Sequence, residues 1–290
     1  MAVIISLVKR NLKMFFRDKT SVFFSLLSVF IIIGLYILFL GNLVSGGLKE
    51  LLGDSARFTT DSWIMAGLLS VTSITTTMGA FGIMVEDNTK KIIKDFSSAP
   101  LKRSQLVGGY IASSFIIGML MTIAALIVAE IYIFSGGGKF LELMQVIKLL
   151  GLMILSVFTS SAMVFFIVLF FKSTTAFATA STIVGTLIGF LTGIYIPIGN
   201  LPATMQTVIK LFPISYSGSL FRQIMMEAPM AAGFKNIPAE AVSSFKQSMG
   251  VVYYFNGKEI SPLVSILILI ATGLLFYALA VIKMSIKKKQ

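Results

Sequence analysis

The chain has 290 residues, of which 56% are hydrophobic and only 12% charged, whereas an average soluble domain is about 25% charged. It contains no Cys and no His, which excludes disulfides, Cys-ligated metals and imidazole acid–base chemistry. The formal net charge is +12, and the distribution of that charge along the chain decides what it means. Composition therefore favours an integral membrane protein over an enzyme.

The first 20 residues combine a basic run with apolar residues at helical spacing. Lys9, Lys13 and Arg17 recur every four residues, and Phe15 and Phe16 both belong to the apolar side. This pattern predicts an amphipathic helix that lies on the inner leaflet. A basic tail that only orients the first span is the alternative. The apolar span that follows is too long for a signal-peptide core, so we interpret it as retained.

Six apolar segments are long enough to cross a bilayer as helices. They are 21–44, 62–85, 106–134, 147–171, 175–196 and 262–282. With the N-terminus in the cytoplasm, fifteen of the 24 Lys and Arg residues fall on the inner side. Basic residues near helix ends are retained there, so both termini are expected in the cytoplasm. The excess charge then meets anionic lipid headgroups, and binding to nucleic acid is not needed to explain it.

The second span contains a dense run of hydroxyl side chains. Thr72, Thr75 and Thr76 belong to it, and Gly79 follows. In a helix surrounded by lipid these hydroxyls would have only the carbonyls one turn earlier as partners. We expect this helix to face protein or a polar path, and both readings stay open.

The fifth span carries Gly185, Gly189 and Gly193 at four-residue intervals. A stripe of small residues allows another helix to approach closely, because the backbones can then make extended dispersion contact. It predicts a packing seam, either within this subunit or between two subunits.

The third span contains one acidic residue, Glu130, near its outer end. Acidic residues inside spans are functional candidates by default. Exposure to lipid headgroups is the simpler alternative.

Prolines interrupt the apolar stretch that follows the fifth span. Pro197, Pro202 and Pro213 each remove a backbone donor, so one continuous helix cannot form. A pair of short re-entrant or interfacial helices on the outer side is expected instead. Residues 229–260 are polar enough to form a small external cap.

The inner loop 86–105 opens with acidic residues and continues with apolar ones at helical spacing. Ile92, Ile93 and Phe96 would share one face of a short helix that Pro100 ends. A helix of this kind predicts a docking surface for a partner. The alternative is that its apolar face lies on lipid.

Together these features resemble the ABC-2 type permease subunits of ABC exporters. Residues 87–101 are similar to the family's coupling helix, with its acidic opening and closing Pro-Leu. Pro197, the Leu201-Pro202 pair and residues 212–216, with Arg222 beyond them, resemble the family's outer proline pattern. The segment 87–91 departs from the family's usual lead into the coupling helix, and the 229–260 insertion is longer than in many members.

The resemblance implies an all-α integral membrane protein formed by one transmembrane domain over 1–290. It has an interfacial helix at 1–20, a cytoplasmic coupling loop at 86–105, and re-entrant helices and a cap at 197–261. Residues implied in coupling to an ATPase are Asp87, Lys90, Lys91, Ile92, Ile93, Phe96, Pro100 and Leu101. Residues implied in an outer gate are Pro197, Leu201, Pro202, Pro213, Tyr216 and Arg222.

The resemblance also implies partners: two cytoplasmic ATP-binding subunits and a second copy of the permease or a related one. ATP and Mg would be bound by the ATPase, and no cofactor is expected in this chain. The sequence has no phosphate-binding loop, because the run from Gly136 to Lys139 lacks both the spacing and a following Ser or Thr. The expected location is a bacterial cytoplasmic membrane.

Two other functional classes stay open at this point. One is a secondary carrier or channel that needs no ATPase. The other is a membrane-anchored sensor or immunity protein whose outer cap binds a ligand. Few ionisable residues lie inside the spans, which favours the exporter subunit over an ion-coupled carrier.

Overall fold

The computed structural model describes residues 2–92 and 102–286, and nearly all of them are helical. The helices are α1 (Ala2–Arg17), α2 (Lys19–Leu35), α3 (Gly41–Leu52), α4 (Ser55–Thr89), α5 (Arg103–Ser135), α6 (Leu143–Val168), α7 (Thr174–Leu191), α8 (Ala203–Leu211), α9 (Pro213–Met225), α10 (Glu227–Gly233), α11 (Ala239–Ser248) and α12 (Pro262–Ile286). A π-helical segment, Tyr36–Leu40, joins α2 to α3, and a short 3₁₀ turn, Ile198–Asn200, precedes α8. Two short strands, β1 (Tyr254–Phe255) and β2 (Lys258–Glu259), form a hairpin.

Within the described residues, five helices are long and apolar enough to cross a membrane: α4, α5, α6, α7 and α12. The predicted first span falls on α2, the π-helical segment and α3, which follow one another without a break. Its apolar part is Ser25–Leu38. The structure therefore agrees with an all-α membrane protein, and the sixth span stays a prediction.

The central element is α4, whose 35 residues extend over about 52 Å. That length exceeds the roughly 30 Å hydrocarbon core of a bilayer, so the helix continues beyond the predicted span 62–85 at both ends. It packs chiefly against α5, α6 and α9, and also against α2, α3 and α7. Its largest side chains, Trp63 and Phe81, are fully buried. Phe81 stacks on Phe165 of α6 with ring centroids 5.6 Å apart.

Two helices keep most of their apolar surface uncovered. Only 17% of the spanning part of α7 and 28% of that of α12 are buried. Ile183 and Leu187 on α7 are about half exposed. Within a membrane, an apolar helix surface that its own chain does not cover contacts lipid or another subunit.

The bundle has two distinct ends. We call the end with Asp87 and the start of α5 the basic end, since exposed lysines lie at several helix termini there. We call the opposite end, where residues 229–260 lie, the cap end.

The cap consists of α10, α11 and the hairpin, whose two-residue turn places Asn256 and Gly257 at φ values of 50° and 75°. Positive φ at both positions is what a type I′ turn requires.

The cap is joined to α4 and α9 by hydrogen bonds. The Trp63 indole donates to the Met249 carbonyl at 2.6 Å. Ser219 and Gln223 of α9 both donate to the Val251 carbonyl. Gly233 of α10 lies against Ser55 at the start of α4. These contacts hold residues 229–260 on the bundle.

Candidate functional site

A cavity of about 830 Å³ opens between α1, α2, α4 and α7. Four hydroxyl side chains from three different helices line it, those of Ser25, Thr75, Thr174 and Ser181. Phe15 and Phe177 contribute aromatic surface. The charged residues Arg17, Asp18 and Glu86, from the ends of these helices, also line it. A mixed apolar and hydroxyl lining of this size suits a small amphipathic molecule.

The cavity brings together four of the residues singled out in the sequence. They are Arg17, Thr75, Gly79 and Gly185. Gly79 lies against Ser25 and Phe15, so α4 approaches α1 and α2 closely at this point. A Cβ added at Gly185 would meet nothing within 4 Å. The glycine therefore borders open space within this chain.

The other hydroxyls in the dense run of α4, between Ser70 and Thr77, face protein. Thr72 and Thr76 are fully buried, and each donates to the carbonyl one turn earlier, at 2.7 Å. Ser70 is 2.6 Å from the Ser217 hydroxyl of α9. Ser73 is 2.9 Å from the Ser156 hydroxyl of α6. These contacts tie α4 to α6 and α9, which leaves Thr75 as the hydroxyl of α4 on the cavity.

The glycine stripe of the fifth span does not continue along one helix. Helix α7 ends at Leu191, and Gly193 has a φ of 65°. The Gly193 and Ile194 amides donate to the Phe190 and Gly189 carbonyls at 3.0 and 2.9 Å, which is the Schellman pattern of a helix C-terminus. The predicted stripe is therefore corrected at Gly193, where the left-handed glycine ends the helix.

Gly189 is covered within this chain. The ring of Tyr195, from the turn after α7, lies so close that a Cβ at Gly189 would collide with it. The chain thus packs its own turn on Gly189, whereas Gly185 opens on the cavity. The two glycines, one turn apart, have different roles.

Asp87, at the basic end of α4, lies at the centre of a buried polar cluster. Arg10 of α1 donates to both of its oxygens, at 2.7 and 2.8 Å, and the Tyr110 hydroxyl of α5 donates to one of them at 2.6 Å. The carboxylate is fully buried, whereas the Arg10 side chain keeps 28% of its exposure. The hydrogen bond to Asp87 raises the pKa of Arg10, against the effect of partial burial. The Asp87 carboxylate is thus engaged inside the chain.

Helix α1 is fixed to α5 by further contacts. The Asn11 amide donates to the Ser113 hydroxyl at 3.0 Å, in a buried position. Leu7 packs so closely on Gly109 that a Cβ there would lie 2.7 Å from it. The buried face of α1 consists of Leu7, Asn11 and Phe15, which recur every four residues.

The predicted interfacial residues of α1 lie on its exposed surface. Lys9, Lys13, Phe16 and Arg17 are all exposed. Phe16 does not share the buried side with Phe15, although the two rings meet edge to face at 5.3 Å. Helix α1 therefore has a face for protein, an exposed apolar part and a basic part, which suits a helix at a membrane surface.

The described part of the predicted coupling segment ends at Ile92. Helix α4 ends at Thr89, and the exposed Lys90 that follows pairs with Glu86. Lys91 has a φ of 62°. This left-handed backbone conformation ends the helix, because a right-handed helix cannot continue through it. Ile92 is half-buried. Ile93, Phe96, Pro100 and Leu101 lie outside the described residues.

Arg222 forms a second cluster, at the cap end. It is 1% exposed and donates to the Thr192 and Gly193 carbonyls at 3.0 Å each and to the Gly250 carbonyl at 3.3 Å. Its guanidinium carbon lies 5.0 Å from the centroid of the Trp63 ring, within range of a cation–π contact. Arg222 thus joins the end of α7, the start of α4 and the cap.

The other residues predicted for an outer gate begin or flank helices nearby. Pro197 precedes the 3₁₀ turn, Pro202 precedes α8, and Pro213 is the first residue of α9. Proline is tolerated there because the first amides of a helix have no partner within it. Leu201 lies between the turn and α8, and the Tyr216 hydroxyl donates to the Lys210 carbonyl at 2.8 Å.

Glu130 has a local partner. One of its carboxylate oxygens accepts a hydrogen bond from the Leu141 amide at 2.9 Å. This contact fixes the loop between α5 and α6 to the end of α5. The other oxygen has no hydrogen bond among the described residues.

Several residues of these clusters did not stand out in the sequence. Tyr110, Asn11 and Trp63 have no local pattern that marks them, because their partners are distant in the chain. The partner of Trp63 is 186 residues away. Arg10 carried a weaker signal, as a basic residue before the first span, whereas Asp87 was already predicted as part of the coupling segment.

Comparison with known proteins identifies the family to which the chain belongs. A family model described as ABC-2 family transporter protein matches residues 49–282, from the end of α3 into α12. No curated protein matches the chain. Members of this family are multi-pass membrane components of transporters and associate with ATP-binding subunits. Since the match covers most of the chain, the protein belongs to the ABC-2 family of transporter proteins.

Proposed function

We propose that this chain is the permease subunit of an ATP-driven exporter and that residues 87–99 couple it to separate ATPase subunits. The observation that carries the proposal is the course of α4. This helix holds the Asp87 cluster at one end, lines the cavity with residues between Thr75 and Glu86 in the adjoining half, and contacts Arg222 through Trp63 toward the other end. Force applied beside Asp87 therefore reaches both the path and the cap.

In this proposal the basic end faces the cytoplasm. Lys90 and Lys172 follow helices at that end, Lys102 precedes one, and Lys283 lies in the last turn of α12, as expected of the side on which basic residues are retained. Helix α1 then lies along the inner leaflet, and the cap is external.

The cavity between α1, α2, α4 and α7 is the proposed entry to the path. Its hydroxyls can bond polar groups of a substrate, and Phe15 and Phe177 can cover apolar ones. Drugs, peptides and lipid or glycan conjugates all combine such groups. ATP binding and hydrolysis in the partner would shift the equilibrium between two states in which the cavity opens to opposite sides.

The Asp87 cluster explains how the force would be received. Removing one partner of a buried ion pair costs about 3–5 kcal/mol, so the pair holds α1, the end of α4 and the start of α5 together. The role inferred for Asp87 changes accordingly. It anchors the coupling segment from inside the permease, and the apolar residues Ile93 and Phe96 contact the ATPase.

The exposed surface of α7 supports a second permease copy or a related permease as partner. This helix borders the cavity through Phe177, Ser181 and Gly185, while Ile183 and Leu187 are exposed. A second subunit against α7 would close the open side of the path. Two ATPase subunits with bound ATP and Mg would then lie beneath the pair.

The test is a double substitution in the coupling segment, Ile93→Asp with Phe96→Asp. We expect it to abolish co-purification of the ATPase and ATP-dependent transport, with the permease still inserted. The matched control is Phe140→Asp with Leu143→Asp, two exposed apolar residues at the cap end, which should leave ATPase binding intact. An ATPase that still binds the first variant would refute the proposal.

A secondary carrier is the second candidate, and one observation favours it. Asp61 of α4 is 1% exposed, and neither carboxylate oxygen has a hydrogen bond among the described residues. Arg57 makes an ion pair with it at 3.7 Å. Buried acids of this kind mark ion or proton sites in carriers. Transport by the permease without an ATPase, lost in Asp61→Asn, would support this candidate.

A further inference from the structure

A second groove, which shares no residue with the cavity, is lined by α5, α6 and α12. Its volume is about 460 Å³, within the usual range for ligand pockets. Its lining is almost entirely apolar and includes Ile111, Phe115, Phe158, Phe165 and Tyr277. Small residues, among them Gly108, Ala112 and Ala162, leave the space open.

The groove lies near the basic end of all three helices. Gly108 is close to the start of α5, Phe165 is close to the end of α6, and Tyr277 is in the second half of α12. In a membrane this position corresponds to the acyl region of the leaflet at the basic end. An apolar groove at that depth is surrounded by lipid chains.

Each of the three helices has a lysine beyond the groove, toward the basic end. Lys102 caps the start of α5, Lys172 follows α6, and Lys283 lies in the last turn of α12. All three are exposed. Lys102 and Lys283 are each six residues from the nearest groove residue of their helix, or about 9 Å along it. This separation places the ammonium groups at headgroup level when the groove holds a chain.

One of the three lysines also approaches a neighbouring helix. The Lys283 ammonium lies 4.7 Å from the centroid of the Phe170 ring, just after α6. The Lys283 side chain therefore extends from α12 toward the end of α6. Lysines near helix ends extend their ammonium groups toward the interface. Basic sites between helices on this side of a membrane bind anionic headgroups.

We propose that this groove binds one acyl chain of an anionic phospholipid and that Lys102, Lys172 and Lys283 bind its phosphate. The apolar lining excludes a polar ligand, and the lysines distinguish an anionic lipid from a zwitterionic one of the same chain length. The site is separate from the proposed path, because it involves none of the cavity residues.

The experiment is native mass spectrometry of the delipidated full chain, titrated with phosphatidylglycerol or with phosphatidylcholine of identical chains. For the first bound lipid we expect at least about tenfold tighter binding of phosphatidylglycerol, since each lysine near the surface adds to the attraction. Equal affinities for the two lipids would overturn the proposal without any variant.

Two variants separate the headgroup from the chain. Substitution of Lys102, Lys172 and Lys283 by Gln should abolish the preference for phosphatidylglycerol, whereas Gln at the exposed cap-end lysines Lys139, Lys148 and Lys235 should retain it. Ala112→Phe fills the groove and should weaken binding of both lipids. Ala124→Phe, on the same helix outside the groove, should not. A preference that survives the first variant, or binding that survives Ala112→Phe, would contradict the site.

Discussion

Arg10 and Asp87 are 77 positions apart in the chain, yet the guanidinium of the first donates to both carboxylate oxygens of the second. The pair connects α1 with the end of α4, which is the most buried of the candidate membrane-spanning helices among the described residues. Tyr110 of α5 completes the set of donors. Whatever moves the segment after Asp87 must therefore also move α1 and the start of α5.

Asp87→Asn should impair both stability and coupling. The amide keeps the shape but removes the charge, which leaves Arg10 without its ionic partner and Tyr110 with a weaker acceptor. Loss of a buried pair costs about 3–5 kcal/mol, so we expect a clear fall in the thermal unfolding temperature in detergent and loss of ATP-dependent transport. The reversed pair, Arg10→Asp with Asp87→Arg, should restore part of the stability.

A control for this prediction lies one turn away. Lys90→Gln removes the exposed pair with Glu86, and exposed pairs contribute little because water screens them. The unfolding temperature should stay unchanged. Equal effects of Asp87→Asn and Lys90→Gln would show that the buried cluster has no special role.

Arg222→Lys should loosen the cap. Lysine keeps the charge but cannot reach the adjacent Thr192 and Gly193 carbonyls and the Gly250 carbonyl of the cap at once, and each buried acceptor without a donor costs about 1–3 kcal/mol. We expect faster proteolysis within residues 229–260, followed by mass spectrometry of the fragments. The exposed Lys235→Met is the control, and the same digestion rate in both variants would contradict the prediction.

Alanine at two neighbouring glycines of α7 should affect the stability of the protein differently. Gly189→Ala collides with the Tyr195 ring and should destabilise the protein by about 1–3 kcal/mol, as overpacking does. Gly185→Ala meets nothing within 4 Å in this chain and should be neutral in the isolated subunit. Thermal unfolding of the two purified variants measures the difference. A neutral Gly189→Ala would mean that the turn after α7 is not packed as described.

Gly185→Phe should block transport without loss of the protein. The side chain would project into the cavity beside Ser181 and Phe177. Substrate-stimulated transport in vesicles should fall to background, with expression unchanged. Gly151 of α6 also has nothing within 4 Å of an added Cβ but lies outside the cavity, so Gly151→Phe is the matched control. Full transport by Gly185→Phe would exclude the cavity as the path.

The long apolar helices could be predicted from sequence because lipid imposes a simple requirement on composition and length. The predicted spans 106–134 and 262–282 correspond to Arg103–Ser135 and Pro262–Ile286. The start of α4 was missed because Arg57, Thr59, Thr60 and Asp61 are polar. They are helical all the same, and α4 is covered there by Trp63–cap contacts that no local pattern shows.

The faces of α1 show the same limit. The apolar pattern suggested that Phe16 shares a side with Phe15, but the buried side includes the polar Asn11. Its amide is satisfied by Ser113, 102 positions away. Periodicity reports which residues avoid water, and it cannot distinguish a lipid surface from a protein neighbour.

The length of α4 determines how far one end of the helix moves when the helix tilts slightly about its other end. A rod of about 52 Å that tilts by about 6° about one end displaces the other end by roughly 5 Å, close to the 5.4 Å pitch of a helix. Trp63 lies about 39 Å from the Thr89 end of this helix, so the same tilt moves it by about 4 Å, which is more than the 3.0 Å length of the hydrogen bonds that hold Arg222 to the end of α7. A tilt too small to disturb the packing at the basic end would thus be enough to exchange hydrogen-bond partners at the far end of the molecule.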